Sequence, residues 1–180
     1  MSVTKERQKN IFSEIKERFG YTNVFQSPRI QKVVVSVGTG SLKDKNKVQV
    51  IQDRLMKITG QKPSARPAKK SIATFKLREG DIVGYQVTLR GARMNDFLDK
   101  LIHIALPRTR DFRGIKRSAL DEMGNITIGI KEHTIFPETP DEELRDVFGF
   151  AVTITTTART KEEAAALLEN LGFPLQKEES

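Results

Sequence analysis

Three segments of the chain alternate apolar and polar residues, and this alternation constrains the fold more than any other feature. They cover residues 82–90, 125–131 and 148–157. Successive side chains of a strand point to opposite faces, so a period of two predicts strands that are apolar on one face. The apolar positions are Val83, Tyr85, Val87 and Leu89, then Ile126, Ile128 and Ile130, then Phe150, Val152 and Ile154. A fourth strand is predicted over residues 30–37, so the chain is expected to build a sheet with one apolar face.

Four other segments repeat apolar residues at helical spacing. They span residues 4–19, 47–59, 92–105 and 160–172, and Gly20, Gly60 and Gly172 mark three of their ends. Thr160 and Glu163 have the spacing of a capping box. Amphipathic helices must cover the apolar face of the sheet. The sequence therefore predicts a single domain over residues 1–180 with an α+β fold, a mainly antiparallel sheet with helices on one face and the other face open.

The open face is polar and poor in acid. The side chains assigned to it are Ser36, Gln86, Thr88, Asn125 and Thr127, with the cations Lys32, Arg90 and Lys131. Neutral hydrogen-bonding groups of this kind suit the shallow minor groove of double-helical RNA, which displays 2′-hydroxyls and phosphates. An ordinary solvated face of an antiparallel sheet is the alternative interpretation.

Positive charge is concentrated in the first two thirds of the chain. Residues 1–120 contain 26 Lys and Arg against 10 Asp and Glu, whereas residues 121–180 contain 5 against 13. This asymmetry predicts a polyanionic partner. The chain has no cysteine and only two histidines, which predicts neither a metal site nor a cofactor. It also has no apolar run of membrane-spanning length, so no membrane partner is expected.

Two basic segments account for much of this charge. Residues 69–80 alternate like a strand, and together with residue 62 onward they predict a protruding basic hairpin near residues 62–82. An edge strand protected by lysines would show the same composition. The second segment, residues 106–117, has neither period and contains five arginines and a lysine, of which Arg108, Arg110, Arg113, Lys116 and Arg117 are predicted contacts for phosphate or a partner.

A glycine pair in residues 38–40 follows a strand and precedes a helix. It satisfies neither the dinucleotide-binding pattern nor the phosphate-binding loop of nucleotide hydrolases. Neither His103 nor His133 is fixed by a motif beside a nucleophile, so the chain is not expected to be an enzyme.

Four blocks of sequence resemble one family closely. They are "GQKP…AKKSIATFKLREG" from residue 60, "VTLRGARMNDFLDKLI" from residue 87, "ALPRTRDFRGI" from residue 105 and "NITIGIKEHTIFPE" from residue 125. In matching order and over nearly the whole chain, they resemble the bacterial large-subunit ribosomal protein five, which holds 5S ribosomal RNA.

The resemblance implies a structural protein of the cytoplasmic ribosome that attaches 5S rRNA in the central protuberance, among large-subunit rRNA and neighbouring proteins. The residues that it implies for 5S rRNA are Lys32, Ser36, Gly38, Gln61, Lys62, Thr88 and Arg90. It implies that the basic hairpin approaches the P-site tRNA through Lys69, Lys70, Ser71, Thr74, Lys76 and Arg78. It also implies a bridge to protein thirteen of the small-subunit head, to which the acidic residues 137–146 are candidate contributors by position, and a flexible C-terminal tail near residues 174–180.

Two alternatives remain at this stage. One is an RNA-binding or chaperone protein outside the ribosome, which would bind RNA broadly. The other is a nucleotide-dependent enzyme that uses the loop between Gly38 and Gly40. A rise in melting temperature with nucleotide would favour the second alternative.

Overall fold

A computed structural model describes residues 2–42, 44–139 and 147–176. Within these ranges the chain forms α1 (Val3–Phe19), β1 (Ile30–Gly38), α2 (Lys45–Thr59), β2 (Ser64–Pro67), β3 (Ile82–Leu89), α3 (Gly91–Lys100), β4 (Ile126–Ile130), β5 (Phe150–Thr156) and α4 (Lys161–Leu171). A π-helical turn, Leu101–Ala105, continues α3. The predicted α+β fold is confirmed, because the strands form one five-stranded antiparallel sheet in the order β2-β3-β1-β5-β4.

The predicted alternation is seen in the burial of the strands. Along β4 and β5, buried isoleucine, valine and phenylalanine alternate with more exposed residues. In β3, Tyr85, Val87 and Leu89 are buried, whereas Gln86 and Thr88 are half-buried. The one-sided strands that the sequence predicted are therefore present.

The contacts of the chain divide it into two compact units. The first takes the described residues of 1–33, 90–128 and 153–180, and the second those of 34–89 and 129–152. Each unit is built from separate stretches of chain. The single domain expected from the sequence stays a prediction.

In the first unit, α1, α3 and α4 pack together. Ile11 and Ile15 of α1 and Leu168 of α4 are at most 2% exposed. Two polar contacts hold the first turns of α1. The backbone N–H and hydroxyl of Thr4 both donate to Asp99 Oδ1, and Arg7 Nη1 donates to the Leu171 carbonyl oxygen at 3.0 Å. These bonds tie α1 to the other helices of this unit.

In the second unit, α2 packs on β3, with Ile51, Leu55 and Ile58 buried. The edge strand β2 pairs antiparallel with β3, so that Ser64 lies opposite Gln86. The register shifts beside Pro67. Proline cannot donate a ladder hydrogen bond, which explains why this strand lies at the edge, as predicted.

Residues 69–80 do not form the strand that their alternation predicted. A single 3₁₀ turn, Ala73–Phe75, lies between Ile72 and Leu77, which bond to each other across the turn through Ile72 N–Leu77 O at 3.0 Å and Leu77 N–Ile72 O at 3.2 Å. The strand prediction was wrong because alternation supplies a pattern of side chains but no neighbouring strand to pair with. Residues 68–81, which join β2 to β3, are called the basic loop below.

Candidate nucleic-acid interface

Gln61 and Thr88, which are 27 residues apart, meet in the second unit. Helix α2 ends at Gly60, whose left-handed conformation (φ 67°) turns the chain so that Gln61 follows directly. The Gln61 side-chain amide then donates to the Thr88 carbonyl oxygen at 3.4 Å. Among the described residues, the Thr88 hydroxyl has no hydrogen-bond partner. A half-buried hydroxyl and a neighbouring amide are therefore available to an external ligand.

Three more of the predicted contacts lie in the same unit. Ser36 is half-buried on β1, between buried Val35 and Val37, and Gly38 is exposed at the end of that strand. Lys62 is exposed just before β2. Lys32 and Arg90 belong to the first unit, where Lys32 is half-buried and Arg90 is the exposed residue preceding α3.

The basic loop is held by its own hydrogen bonds. The Ser71 hydroxyl accepts from the Glu79 N–H at 2.9 Å, and Asp81 Oδ2 accepts from the Arg78 N–H at 2.8 Å. Its predicted contact residues Lys69, Lys70, Ser71, Thr74, Lys76 and Arg78 are all exposed. Within the described ranges none of the four cations among them pairs with a carboxylate.

Phe75 is a surface residue of the basic loop that the sequence did not identify. Its side chain is 68% exposed, although the alternation placed it on the apolar, buried face. An exposed aromatic ring among lysines and an arginine is suited to stacking on a nucleic-acid base. No local signal distinguishes this position from a buried strand position.

The second basic segment, residues 106–117, lies in the first unit after the π-helical turn. Arg108, Arg110, Arg113 and Lys116 are exposed, and none of them pairs with a carboxylate in the described parts of the chain. Arg117 differs, because its Nη2 lies 2.6 Å from Glu169 Oε1. Of the five predicted contacts, Arg117 is therefore already engaged within the protein.

The C-terminal residues 174–176 are attached to this basic segment. The Ile115 N–H donates to the Pro174 carbonyl oxygen at 2.7 Å, and the Gln176 N–H donates to the Ile115 carbonyl oxygen at 2.9 Å. A flexible tail had been expected from about residue 174, and this is corrected for residues 174–176. Residues 177–180 lie outside the described ranges, as do residues 140–146 of the acidic segment.

Asn125, assigned to the open face from the sequence, is committed to internal bonds. Its Nδ2 donates to Asp121 Oδ2 at 3.0 Å, and its Oδ1 accepts from the Thr156 N–H at 3.2 Å. The hydrogen bond from the Asn125 side chain lowers the pKa of Asp121 below its ordinary value. Asn125 therefore serves the turn before β4 rather than a ligand.

The loop between Gly38 and Gly40 does not present a row of free amides to a phosphate. The Thr39 N–H donates to the Val83 carbonyl oxygen at 2.8 Å. In the described part of the chain, no three His, Asp or Glu side chains are grouped to hold a metal ion. No described helix has both the length and the apolar character that crossing a bilayer requires.

Known proteins match this chain from near its beginning to near its end. The family described as "Ribosomal protein L5" matches residues 23–78, and the family described as the C-terminus of the same ribosomal protein matches residues 82–175. This chain belongs to the ribosomal protein L5 family. The family resemblance expected from the sequence is thus confirmed.

The relatives of the L5 family that it resembles are named "Large ribosomal subunit protein uL5". Those of Ureaplasma urealyticum serovar 10 and Thermoanaerobacter sp. strain X514 are 48% and 46% identical over 179 residues, or 98% of this chain and 97% and 100% of theirs. That of Flavobacterium johnsoniae is 47% identical over 176 residues, or 97% of this chain and 96% of its own.

Membership of the L5 family settles the class of function. The chain is a structural protein of the large ribosomal subunit and not an enzyme, and it is a component of the cytoplasmic ribosome. Its partners include ribosomal RNA. The nucleotide-dependent enzyme considered from the sequence is excluded.

Proposed function

We propose that this protein binds 5S rRNA and helps to attach it in the central protuberance of the large subunit. The proposed contacts in the second unit are Ser36, Gly38, Gln61, Lys62 and Thr88. Lys32 and Arg90 are the proposed contacts in the first unit. Other large-subunit rRNA and neighbouring central-protuberance proteins are the further partners of the proposal.

The observation that carries this proposal is the contact between Gln61 and Thr88. It places an amide and a hydroxyl with no partner among the described residues side by side. Such groups match the 2′-hydroxyls and base edges of a shallow RNA minor groove, which is read by shape and hydrogen bonds rather than by charge alone. A surface that bound RNA only through phosphates would not need them.

The basic loop is proposed to approach the P-site tRNA, with its exposed Lys69, Lys70, Lys76 and Arg78 near phosphates. The four cations without carboxylate partners in the described chain support this role. Arg108, Arg110, Arg113 and Lys116 form a second proposed set of phosphate contacts. A bridge to protein thirteen of the small-subunit head completes the proposal, with the acidic residues 137–146 as its candidate segment.

A broad RNA-binding or chaperone activity is the competing proposal, and the charge distribution is what favours it. The two proposals differ in how binding depends on the RNA and on salt. Binding that depends on charge alone weakens steeply with salt and does not distinguish one RNA from another.

The test is a titration of the purified protein with labelled 5S rRNA and with a generic duplex of equal length, at several salt concentrations. We expect tighter binding to 5S rRNA by a large margin that persists at moderate salt. Equal affinities that fall together with salt would support the broad RNA-binding protein instead.

Point variants locate the interface. Loss of one hydrogen bond changes affinity by roughly threefold to tenfold, so Thr88→Ala and Arg90→Ala should each weaken 5S rRNA binding by about that factor. Ser13→Ala is the control, because this exposed serine lies on α1 and its hydroxyl donates to the Asn10 carbonyl oxygen. If both variants bind like the parent protein, the proposed interface is wrong.

A further inference from the structure

A pocket of about 480 Å³ lies in the second unit, on the side of β3 where α2 packs. The loop after β1, the first turns of α2 and the basic loop all contribute to it. Its polar lining includes Thr39, Gln49, Lys76 and Asp81, and the Tyr85 side chain is among the walls. Its volume falls within the range of natural small-ligand sites, which are mostly apolar with a few placed polar groups.

Thr39 is the feature of this pocket that demands an explanation. The residue is 2% exposed, and among the described residues nothing donates to or accepts from its hydroxyl. Its backbone is held on both sides, since its N–H bonds to Val83 and its carbonyl oxygen accepts from the Leu42 N–H at 2.9 Å. A buried hydroxyl without a partner costs free energy, so such groups are rare unless something else supplies the hydrogen bond.

We propose that this pocket binds an unpaired nucleobase of RNA, with the Thr39 hydroxyl bonded to the edge of the base. Leu42, Val48 and Leu77 provide apolar walls for a planar ring. The Gln49 amide can donate and accept, and the Asp81 carboxylate can accept, so both kinds of group on a base edge find a counterpart. The volume is sufficient for a nucleoside.

The charge around the pocket identifies RNA as the source of the base. Lys76 lies in the lining, and Lys69, Lys70 and Arg78 are exposed on the same loop. A base attached to its phosphate would place the ring among the apolar walls and the phosphate near these cations. Free phosphate would have no use for the apolar walls, and an acidic peptide would not account for the paired donor and acceptor groups. The inference rests on the proposed RNA contact for its ligand, but it concerns different residues from those proposed for 5S rRNA.

The experiment is an NMR titration of the isotope-labelled full chain with each of the four nucleoside 5′-monophosphates, and with ribose 5-phosphate as a probe that lacks the base. The signals followed are the Gly40 backbone amide and the Gln49 side-chain amide. We expect at least one mononucleotide to shift both signals in a saturable way, and ribose 5-phosphate to leave the Gln49 signal unchanged.

Thr39→Val keeps the shape of the side chain and removes the hydroxyl, so it should weaken that mononucleotide by roughly fivefold to tenfold. The matched control is Thr155→Val, which makes the same change at a half-buried threonine of β5 outside the pocket lining. An unchanged spectrum, equal shifts with ribose 5-phosphate, or an unchanged affinity of Thr39→Val would each overturn the inference.

Binding of 5S rRNA by the same preparations separates the two proposals. Retained 5S rRNA binding without any shift in the pocket would reject the base site alone. A saturable shift in the pocket without specific 5S rRNA binding would reject the proposed function and leave the base site standing.

Discussion

Thr4 shows how a single polar residue is accommodated within the helical layer of the first unit. It is 1% exposed, and both its backbone N–H and its hydroxyl donate to Asp99. Burial alone would raise the pKa of the Asp99 carboxyl, but hydrogen bonds from Ser2, Thr4 and Val3 outweigh it, and the pKa is lowered from its ordinary value of 3.8. The carboxylate form is therefore the one that stabilises the fold.

The first prediction concerns the pH dependence of this contact. A carboxyl whose pKa is lower in the folded state adds stability above its unfolded pKa, and this stability is lost as pH falls through the folded pKa. We expect Asp99→Asn to lower the free energy of unfolding by about 1 kcal/mol at neutral pH, because a charged acceptor becomes neutral. Urea denaturation below and above pH 3.8 should show the deficit of the variant shrinking in acid.

Asp96→Asn is the control for this prediction, since Asp96 is exposed on the same helix α3. A deficit of Asp99→Asn that stays constant across the acid range would show that the charge of Asp99 does not contribute.

The second prediction concerns the close approach of β1 and β3 at Gly84. A Cβ atom at this position would lie 2.6 Å from the Val37 carbonyl oxygen, which is well inside contact distance. We expect Gly84→Ala to lower the free energy of unfolding by roughly 1–3 kcal/mol, the usual cost of overpacking. Urea denaturation measures it.

Gly129→Ala is the matched control, because Gly129 is also a strand glycine and has no atom within 4 Å of a Cβ built there. That change should be neutral or stabilising by about 0.5–1 kcal/mol, since alanine loses less conformational entropy than glycine. Equal losses in the two variants would contradict the steric explanation.

At the scale of elements, the chain end and the basic segment support each other. Residues 174–176 bond to Ile115 on both sides of its peptide unit, and Gln176 Nε2 also donates to the Arg113 carbonyl oxygen at 3.2 Å. Arg117 adds a charged contact to Glu169 of α4. The backbone of the basic segment is thus positioned by the end of the chain, while Arg113 keeps its side chain exposed.

The third prediction follows from this attachment. A chain shortened after Phe173 loses the bonds to Ile115, so residues 106–117 should open more often and be cleaved faster by trypsin after Arg113. We expect cleavage to accelerate by roughly tenfold, which corresponds to about 1.4 kcal/mol of lost local stability. Mass spectrometry of timed digests identifies the site.

A chain shortened after Gln176 is the control, because it keeps every bond described between the end of the chain and Ile115. Cleavage at the same rate in the two shortened chains would show that residues 174–176 do not protect the basic segment.

At the scale of the whole molecule, the uneven distribution of charge along the sequence governs how salt acts on RNA binding. The first 120 residues hold the excess of cations, and residues 121–180 hold 13 acidic residues against 5 basic ones. Each phosphate contact releases counterions from the RNA, so the number of contacts sets the slope of log affinity against log salt.

The fourth prediction uses this slope. If Lys69 and Lys70 each contact one phosphate of the bound tRNA, Lys69→Ala with Lys70→Ala should reduce the slope for tRNA binding by roughly 0.7–0.9 per lysine removed. Titration of the purified protein with tRNA at several salt concentrations gives the slope. Lys161→Ala, an exposed change in the first turn of α4, is the control and should leave the slope as it is. An unchanged slope in the double variant would remove the basic loop from the RNA contacts.

Much of the fold was predictable because its signals are local. One-sided burial along β3, β4 and β5, the ends of α1, α2 and α4 at Gly20, Gly60 and Gly172, and the Thr160 cap, whose hydroxyl accepts from the Glu163 N–H at 3.3 Å, all follow from neighbouring residues. The Glu163 carboxylate accepts from the Arg159 N–H, one residue before the expected position. Periodicity and capping depend on backbone geometry within a few residues, so a sequence displays them directly.

Other features depended on partners distant in the sequence. Thr88 and Gln61 meet across 27 residues, Arg117 and Glu169 across 52, and Asn125 and Thr156 across 31. Sequence pattern assigned Asn125 and Arg117 to external contacts, and the folded chain uses both internally. A side chain's availability is set by whichever groups the fold brings beside it, and that information is not local.

The sequence by itself determined the α+β class, the apolar face of the sheet, the membership of the L5 family and the concentration of basic residues in residues 1–120, because composition, periodicity and family motifs are properties of the chain order. Only the tertiary structure decided that residues 69–80 close on themselves instead of pairing as a strand, that residues 174–176 attach to Ile115, and that the Thr39 hydroxyl is buried beside a pocket. Each of these outcomes is a competition among distant hydrogen-bond partners, and it is resolved only when the whole chain has folded.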